Sequence, residues 1–324
     1  MCTAISYQAG GFYFGRTLDY DIVFGESITI TPRGFPLPFR HLKTVDRHYG
    51  IIGMAHIADN YPLYYDAMNE KGLAMAGLNF VGNACYGQPV SGKSNIASFE
   101  FIPWVLGQCV NLEEAKKLLA NLQITDDGFS DALKPAQLHW IIADSTGAVT
   151  VEMTSTGLHI YDNPLGVLTN NPTFPEQMLG LQDYMQLSAG EPENRFAPAL
   201  DWQPYSRGMG AIGLPGDLSS KSRFVRAAFG KLNAVSGGGE DAVRQFFHIL
   251  GTVAQIRGCC QLANGNLEIT QYTSCCDTER GIYYYTTYEN SRIIGLDMHK
   301  EDLDGRNLIS YPPEKEWGFW IQNE

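Results

Sequence analysis

The sequence predicts an α+β fold, two antiparallel sheets with helices outside them, and three observations lead there. Strand patterns come in runs, each run is divided from the next by a pair of helical patterns, and the order along the chain is β, α, β, α, β. A doubly wound sheet needs strand and helix to alternate singly, so that class is excluded.

The first quarter is β-rich. Apolar alternation predicts strands near 3–7, 12–16 and 27–31, and the small, apolar run GLAMAGLNF at 72–80 suits a strand buried on both faces. Helical periodicity follows at 98–108 and again over Asn111–Leu122, where Asn111 can cap and Glu114 stands at the reciprocal capping-box position. Strands return at 138–143, 148–153 and 157–162, with turn residues at Asp144–Gly147 and Ser155–Gly157 arranging them as a meander. A stretch rich in Pro, Asn and Gly runs from 163 to 217. It precedes helices near 219–234 and 240–256 and strands near 267–274, 281–288 and 292–297. No repeat, linker or low-complexity tract interrupts the 324 residues, so a single domain over 1–324 is expected.

Composition excludes more than it selects. Hydrophobic residues make up 44% and charged residues 18%, as in a globular protein with a packed core. A formal charge of −12 repels phosphate backbones and anionic headgroups, so neither nucleic acid nor a membrane is an expected partner. The N-terminus MCTAISYQAGGFYFG lacks a basic region followed by an apolar one, and no window nears the roughly 18–20 apolar residues of a membrane span. The expected location is the cytoplasm. Seven cysteines, odd in number and without CxxC spacing, fit neither a disulfide framework nor a zinc ribbon, and the seven histidines form no HExxH pair. No metal site is expected.

Cys2 is the first candidate for chemistry. Initiator methionine is normally removed before a small residue, which would leave Cys2 with a free α-amine beside its thiol. Such an amine, with an ordinary pKa of about 7.7–8.0, can accept the thiol proton at neutral pH. Position alone would make Cys2 an incidental residue of a frayed end. Its context is Arg16 and Asp19 in GFYFGRTLDYD, which a hairpin returning from the first strand brings beside it. A guanidinium there favours the thiolate, and a carboxylate can orient the amine.

With these residues, MCTAI, FGRTLDYD, NEKGLAMAGLNF, GVLTNNPTF, SRGMGAIGLPGDLSSKSRF and YTSCCDTERGIYYYTTYEN resemble the choloylglycine hydrolase family nearly end to end. That family contains bile salt hydrolases and penicillin V acylases and belongs to the N-terminal-nucleophile hydrolases. The resemblance implies a four-layer αββα sandwich. It implies Cys2 as nucleophile, Arg16 and Asp19 as its neighbours, Asn79 and Asn170 as donors to a tetrahedral oxyanion, and Arg223 as support for the cationic surroundings of Cys2. Spacing alone does not separate Asn170 from Asn171. Asn at position 79 resembles bile salt hydrolases, where some penicillin acylases carry Tyr.

The implied substrates are glycine- or taurine-conjugated bile salts, with Arg16, Leu18, Ile22, Phe24 and Asn79 against the substrate. The implied chemistry needs no cofactor, and the implied assembly is a homotetramer. A penicillin V or acyl-homoserine-lactone acylase, and a non-catalytic binding homologue, are the alternatives. The glycines of RGMGAIG match G-x-G-x-x-G, but the preceding DWQPYSR is polar and contains Pro204, so a loop is expected there rather than a nucleotide site.

Overall fold

The computed structural model describes residues 1–314, 318 and 321–323. The chain opens with the hairpin β1 (Cys2–Gln8) and β2 (Phe12–Tyr20), followed by β3 (Ser27–Thr31), β4 (Ile51–Ala58), β5 (Tyr61–Asn69) and β6 (Ala74–Asn79). Then come β7 (Ser94–Ala97), α1 (Phe101–Leu106), α2 (Leu112–Leu119) and β8 (Leu122–Thr125). The meander is β9 (Leu138–Asp144), β10 (Gly147–Thr154) and β11 (Gly157–Asp162), and the short β12 (Val167–Leu168) follows it. Helices α3 (Phe174–Leu181), α4 (Ser220–Asn233) and α5 (Glu240–Gly251) precede β13 (Ile269–Asp277), β14 (Ile282–Thr287), β15 (Ile294–Asp297) and β16 (Ile309–Tyr311).

Two antiparallel sheets result. One has the order β12-β1-β2-β13-β14-β15, the other β11-β10-β9-β6-β5-β4-β3-β16. Helices α4 and α5 pack on the first, α1 on the second with α2 against β9, and the sheets meet where β1 and β2 face β6. The layers are therefore αββα, as expected. Strands β6 and β9 at the centre of the eight-stranded sheet are buried on both faces, which is why GLAMAGLNF and LHWIIA read as continuous apolar runs. In β9, Ile141 and Ala143 join the core shared with β1 and β2, while Trp140 and Ile142 join the core under α1 and α2.

Several boundaries differ from the sequence expectation. The helix expected over Asn111–Leu122 ends at Leu119, because Leu122 starts β8. The helix expected to reach 256 stops at Gly251. The hairpin β4–β5 was not anticipated, although Asp59 and Asn60, at φ 47° and 59°, form a two-residue turn between its strands. Helix α3 lies inside the stretch expected to be irregular. Its start is fixed by Thr173 and Glu176, whose carboxylate accepts from the Thr173 N–H at 3.1 Å, with Pro175 in the first turn. The RGMGAIG glycines form a loop, as expected: a side chain on Gly210 would stand 1.9 Å from the Gly190 carbonyl.

Candidate active site

The β1–β2 register sets the site. Cys2 pairs with Leu18 and Ala4 with Arg16, so alternation puts Cys2, Arg16 and Leu18 on one face of the hairpin and Thr3, Thr17 and Asp19 on the other. Cys2, Arg16 and Leu18 line a cavity of about 510 Å³. The opposite face receives Arg223 from α4, which donates to the Thr3 hydroxyl at 2.7 Å and to the Cys2 carbonyl and stands 4.0 Å from Asp19 Oδ2.

Asn170 is the hub. Its Oδ1 accepts from the Cys2 backbone nitrogen at 2.8 Å and from Arg223 Nη2 at 2.7 Å, and its Nδ2 donates to the Asn79 carbonyl at 2.7 Å. One side chain thus joins the two sheets, α4 and the Cys2 nitrogen. Asn171 points elsewhere, donating to the Val81 carbonyl.

Met1 stands before Cys2 in the structure, so the Cys2 nitrogen is an amide. The Met1 ammonium lies 2.8 Å from Glu268 Oε1 and 2.5 Å from the Asp19 carbonyl, and the Met1 carbonyl accepts from the Asp19 N–H at 2.9 Å. Glu268 is buried, and desolvation raises its pKa against the opposing charge of the terminus. Arg16 is wholly buried. Burial opposes its charge, but the Cys2 sulfur, Tyr272, Asp66 and Asp19 outweigh that, so its pKa is raised. Desolvation dominates at Arg223 and lowers its pKa despite Asp19 and Cys2.

The cavity wall is mostly apolar: Leu18, Phe24, Leu63, Tyr64, Phe99 and Phe129 form much of it, and Asn79 stands among them. Phe24 packs on Tyr20 with ring centroids 5.7 Å apart. Phe129 meets Phe99 edge-on at 5.3 Å, and its segment is tied down by the 2.6 Å pair His41–Asp127. Strand β13 carries a bulge opposite Leu18 and Asp19, a device that re-aims side chains beside active sites. It lets the Thr270 hydroxyl reach Asp19 Oδ1 at 2.6 Å.

Residues 2–311 match the family described as linear amide C–N hydrolases, choloylglycine hydrolase family. The chain belongs to the choloylglycine hydrolase family. Across all of both chains it is 51% identical to a bile salt hydrolase/transferase of Lactiplantibacillus plantarum. It is 39% identical to one of Clostridium perfringens over 97% of this chain and 98% of that one. A mutant conjugated bile acid hydrolase from Clostridium perfringens superposes with a TM-score of 0.93 at 38% identity, covering all of both chains. The fold extends to a penicillin V acylase from Agrobacterium tumefaciens, with a TM-score of 0.76 at 21% identity over 96% of this chain and 91% of that one.

In this choloylglycine hydrolase the Asp19 carboxylate accepts from Thr270 and Thr17 and its backbone makes the contacts with Met1, while the Cys2 nitrogen that it is expected to orient is here an amide. Two sequence expectations need correction. Asn170 is not free to donate to an oxyanion, since its Nδ2 is committed to Asn79; the Asn79 side chain, at the cavity wall, has no hydrogen-bond partner among the described residues. Ile22 is 48% exposed and off the cavity wall, whereas Phe24 and Leu18 line it. The sequence reading missed Glu268, Tyr64, Tyr65, Phe99 and Phe129. The Asp-Asn turn between alternating runs would have revealed β5 and its tyrosines; no local signal marks Glu268 as a neighbour of Met1.

Proposed function

We propose that this enzyme cleaves the amide joining a bile acid to glycine or taurine, with Cys2 as nucleophile after removal of Met1. The observation that carries this reading is the Cys2 nitrogen held by Asn170 at the edge of a large apolar cavity, where a rigid steroid body can lie while its amide meets the thiol. The family supplies the bond class, and the names of the full-length relatives supply the substrate.

In this mechanism the α-amine exposed by loss of Met1 takes the thiol proton, and Arg16 supports the thiolate. Attack on the carbonyl carbon gives a tetrahedral oxyanion, to which the uncommitted Asn79 amide donates. The amine passes its proton to the departing nitrogen, the C–N bond breaks and a thioester remains. Water deprotonated by the same amine then releases the bile acid. An amine arriving in place of water would give transfer, the second activity named for the Lactiplantibacillus plantarum relative.

We assign the activity to one domain spanning the chain and to a homo-oligomer, a tetramer by family likeness. Exposed Met185, Phe196, Trp202 and Tyr205 in the segment before α4 support subunit contact there. Seven free cysteines support a reducing compartment, the cytoplasm. Turnover of glycocholate, taurocholate and penicillin V by the wild type and Cys2→Ser tests the proposal. Bile salt turnover lost in Cys2→Ser is expected; preference for penicillin V, or a fully active Cys2→Ser, overturns it.

A further inference from the structure

We infer that Asp66 is a positioning residue of the reaction: it is a buried counter-charge to Arg16, joined to the Arg16 strand through the Ser274 hydroxyl rather than by a direct ion pair, and it shares the guanidinium's field with the Cys2 sulfur. The inference rests on the reading of Cys2 as nucleophile.

Arg16 is held by neutral acceptors. Its Nε donates to the Thr17 carbonyl at 3.1 Å, and its Nη1 donates to the carbonyls of Gly77 at 2.5 Å and Tyr65 at 3.3 Å. Its Nη2 is buried without a partner. Carbonyls fix the guanidinium in place but leave its unit charge uncompensated in a low-dielectric interior. Compensation must come from anions across the gap between the sheets.

Asp66 is built for that purpose. It is fully buried, and three hydroxyls from the opposite sheet donate to it: Tyr272 to Oδ1 at 2.5 Å, and Ser274 and Tyr283 to Oδ2 at 2.8 Å each. Three donors on two oxygens suit an ionised carboxylate, which only accepts. The Ser274 hydroxyl also accepts from the Arg16 backbone N–H at 3.1 Å, linking the acid to the strand that carries the guanidinium. A bulge in β5 completes the arrangement. Met54 pairs with Asp66 and Ala55 with Tyr64, so Tyr65 is the extra residue, and its carbonyl is one of the three that hold Arg16. The titratable groups around Asp66 are Arg16, Tyr272, Tyr283 and Cys276. Desolvation raises the pKa of Asp66, and Arg16 is the largest influence opposing that rise.

The reaction gives this arrangement its use. When the Cys2 sulfur is a thiolate, it adds to Asp66 and Asp19 as an anion acting on Arg16; when the sulfur becomes a neutral thioester, the two carboxylates still balance the buried cation. Arg16 therefore keeps its place through acylation and is ready to receive the thiolate that leaves on hydrolysis.

The test is the pH dependence of Cys2 alkylation by iodoacetamide in protein lacking Met1, read by peptide mass, beside kcat and KM for glycocholate. With Asp66→Asn a larger share of the Arg16 charge falls on the sulfur. The alkylation midpoint is expected to move down by about half to one pH unit, and kcat to fall with KM little changed. Tyr283→Phe, which keeps the Asp66 charge and removes one hydroxyl that offsets it, should move the midpoint slightly up instead, and it carries the test if Asp66→Asn does not fold. A purely structural acid would lower Tm and leave the midpoint in place. An unchanged or raised midpoint in folded Asp66→Asn, or an unchanged or lowered one in Tyr283→Phe, overturns the inference. A wild type whose Cys2 is unreactive overturns the functional reading instead.

Discussion

Replacing Asn170 tests the hub of the site most directly. Asn170→Ala would strand two buried groups, the Cys2 nitrogen and Arg223 Nη2, and the part-buried Asn79 carbonyl. Each stranded buried group costs about 1–3 kcal/mol, with the charged donor at the upper end. If roughly 3 kcal/mol of that loss is felt in the transition state, kcat falls about a hundredfold. Asn170→Asp gives a signed comparison. It keeps the oxygen that accepts from Cys2 and Arg223, loses the donor to Asn79 and places a negative charge beside the α-amine. That charge favours the protonated amine, so the acid limb of the kcat profile should move to higher pH. The assay is glycine release from glycocholate between pH 4 and 9, at about those limits, with thermal unfolding as a control for folding. Asn170→Ala within threefold of wild-type kcat, or Asn170→Asp with an unmoved acid limb, would refute the reasoning.

Two further outcomes concern the fold around the site. Burial pushes the Cys109 thiol up to about 12 and those of Cys275 and Cys276 well above their ordinary value, whereas Cys85 and Cys259 are exposed. Iodoacetamide at pH 8 should therefore label Cys85 and Cys259 and spare the three buried thiols; labelling of Cys275 in native protein would contradict its place inside the sandwich. At the start of α4, hydrogen bonds from Ser219 and Ser222 hold Asp217 down at about 2. A depressed carboxylate stabilises the fold above its unfolded pKa and loses that contribution as pH falls through the folded value. The urea midpoint gap between wild type and Asp217→Asn should thus be full at pH 6 and close between about pH 4 and pH 2; a gap independent of pH would show that the carboxylate charge contributes nothing.

The parts of the site that sequence reveals are those that follow a short-range rule. Period-two alternation placed β1 and β2, and a hairpin between them brings Arg16 and Asp19 back to Cys2 without knowledge of any other segment. Alternation also divides them, with Arg16 beside the thiol and Asp19 behind the strand, a distinction that the register makes plain. Asn79 and Asn170 were recognisable as donors by residue type and family likeness. Which hydrogen bonds each has already spent depends on a contact across 91 positions, and no local pattern carries that. Asp66 was hidden twice: β5 went unread because its hairpin turn was overlooked, and a bulge shifts the register that would aim its side chain. Glu268 reaches Met1 only through the pairing of chain ends in the folded sheet.

The grip on Met1 has a consequence for the order of events in biosynthesis. Its ammonium is paired with Glu268 and its backbone is bonded on both sides to Asp19, so Met1 extends the sheet instead of trailing from it. An aminopeptidase needs a loose, extended end, and chain termini that are tied into a sheet do not offer one. On the proposed mechanism, trimming would belong to the interval while the nascent chain is still emerging, before β1 docks on β2. A chain that folded first would keep the Cys2 nitrogen in a peptide bond.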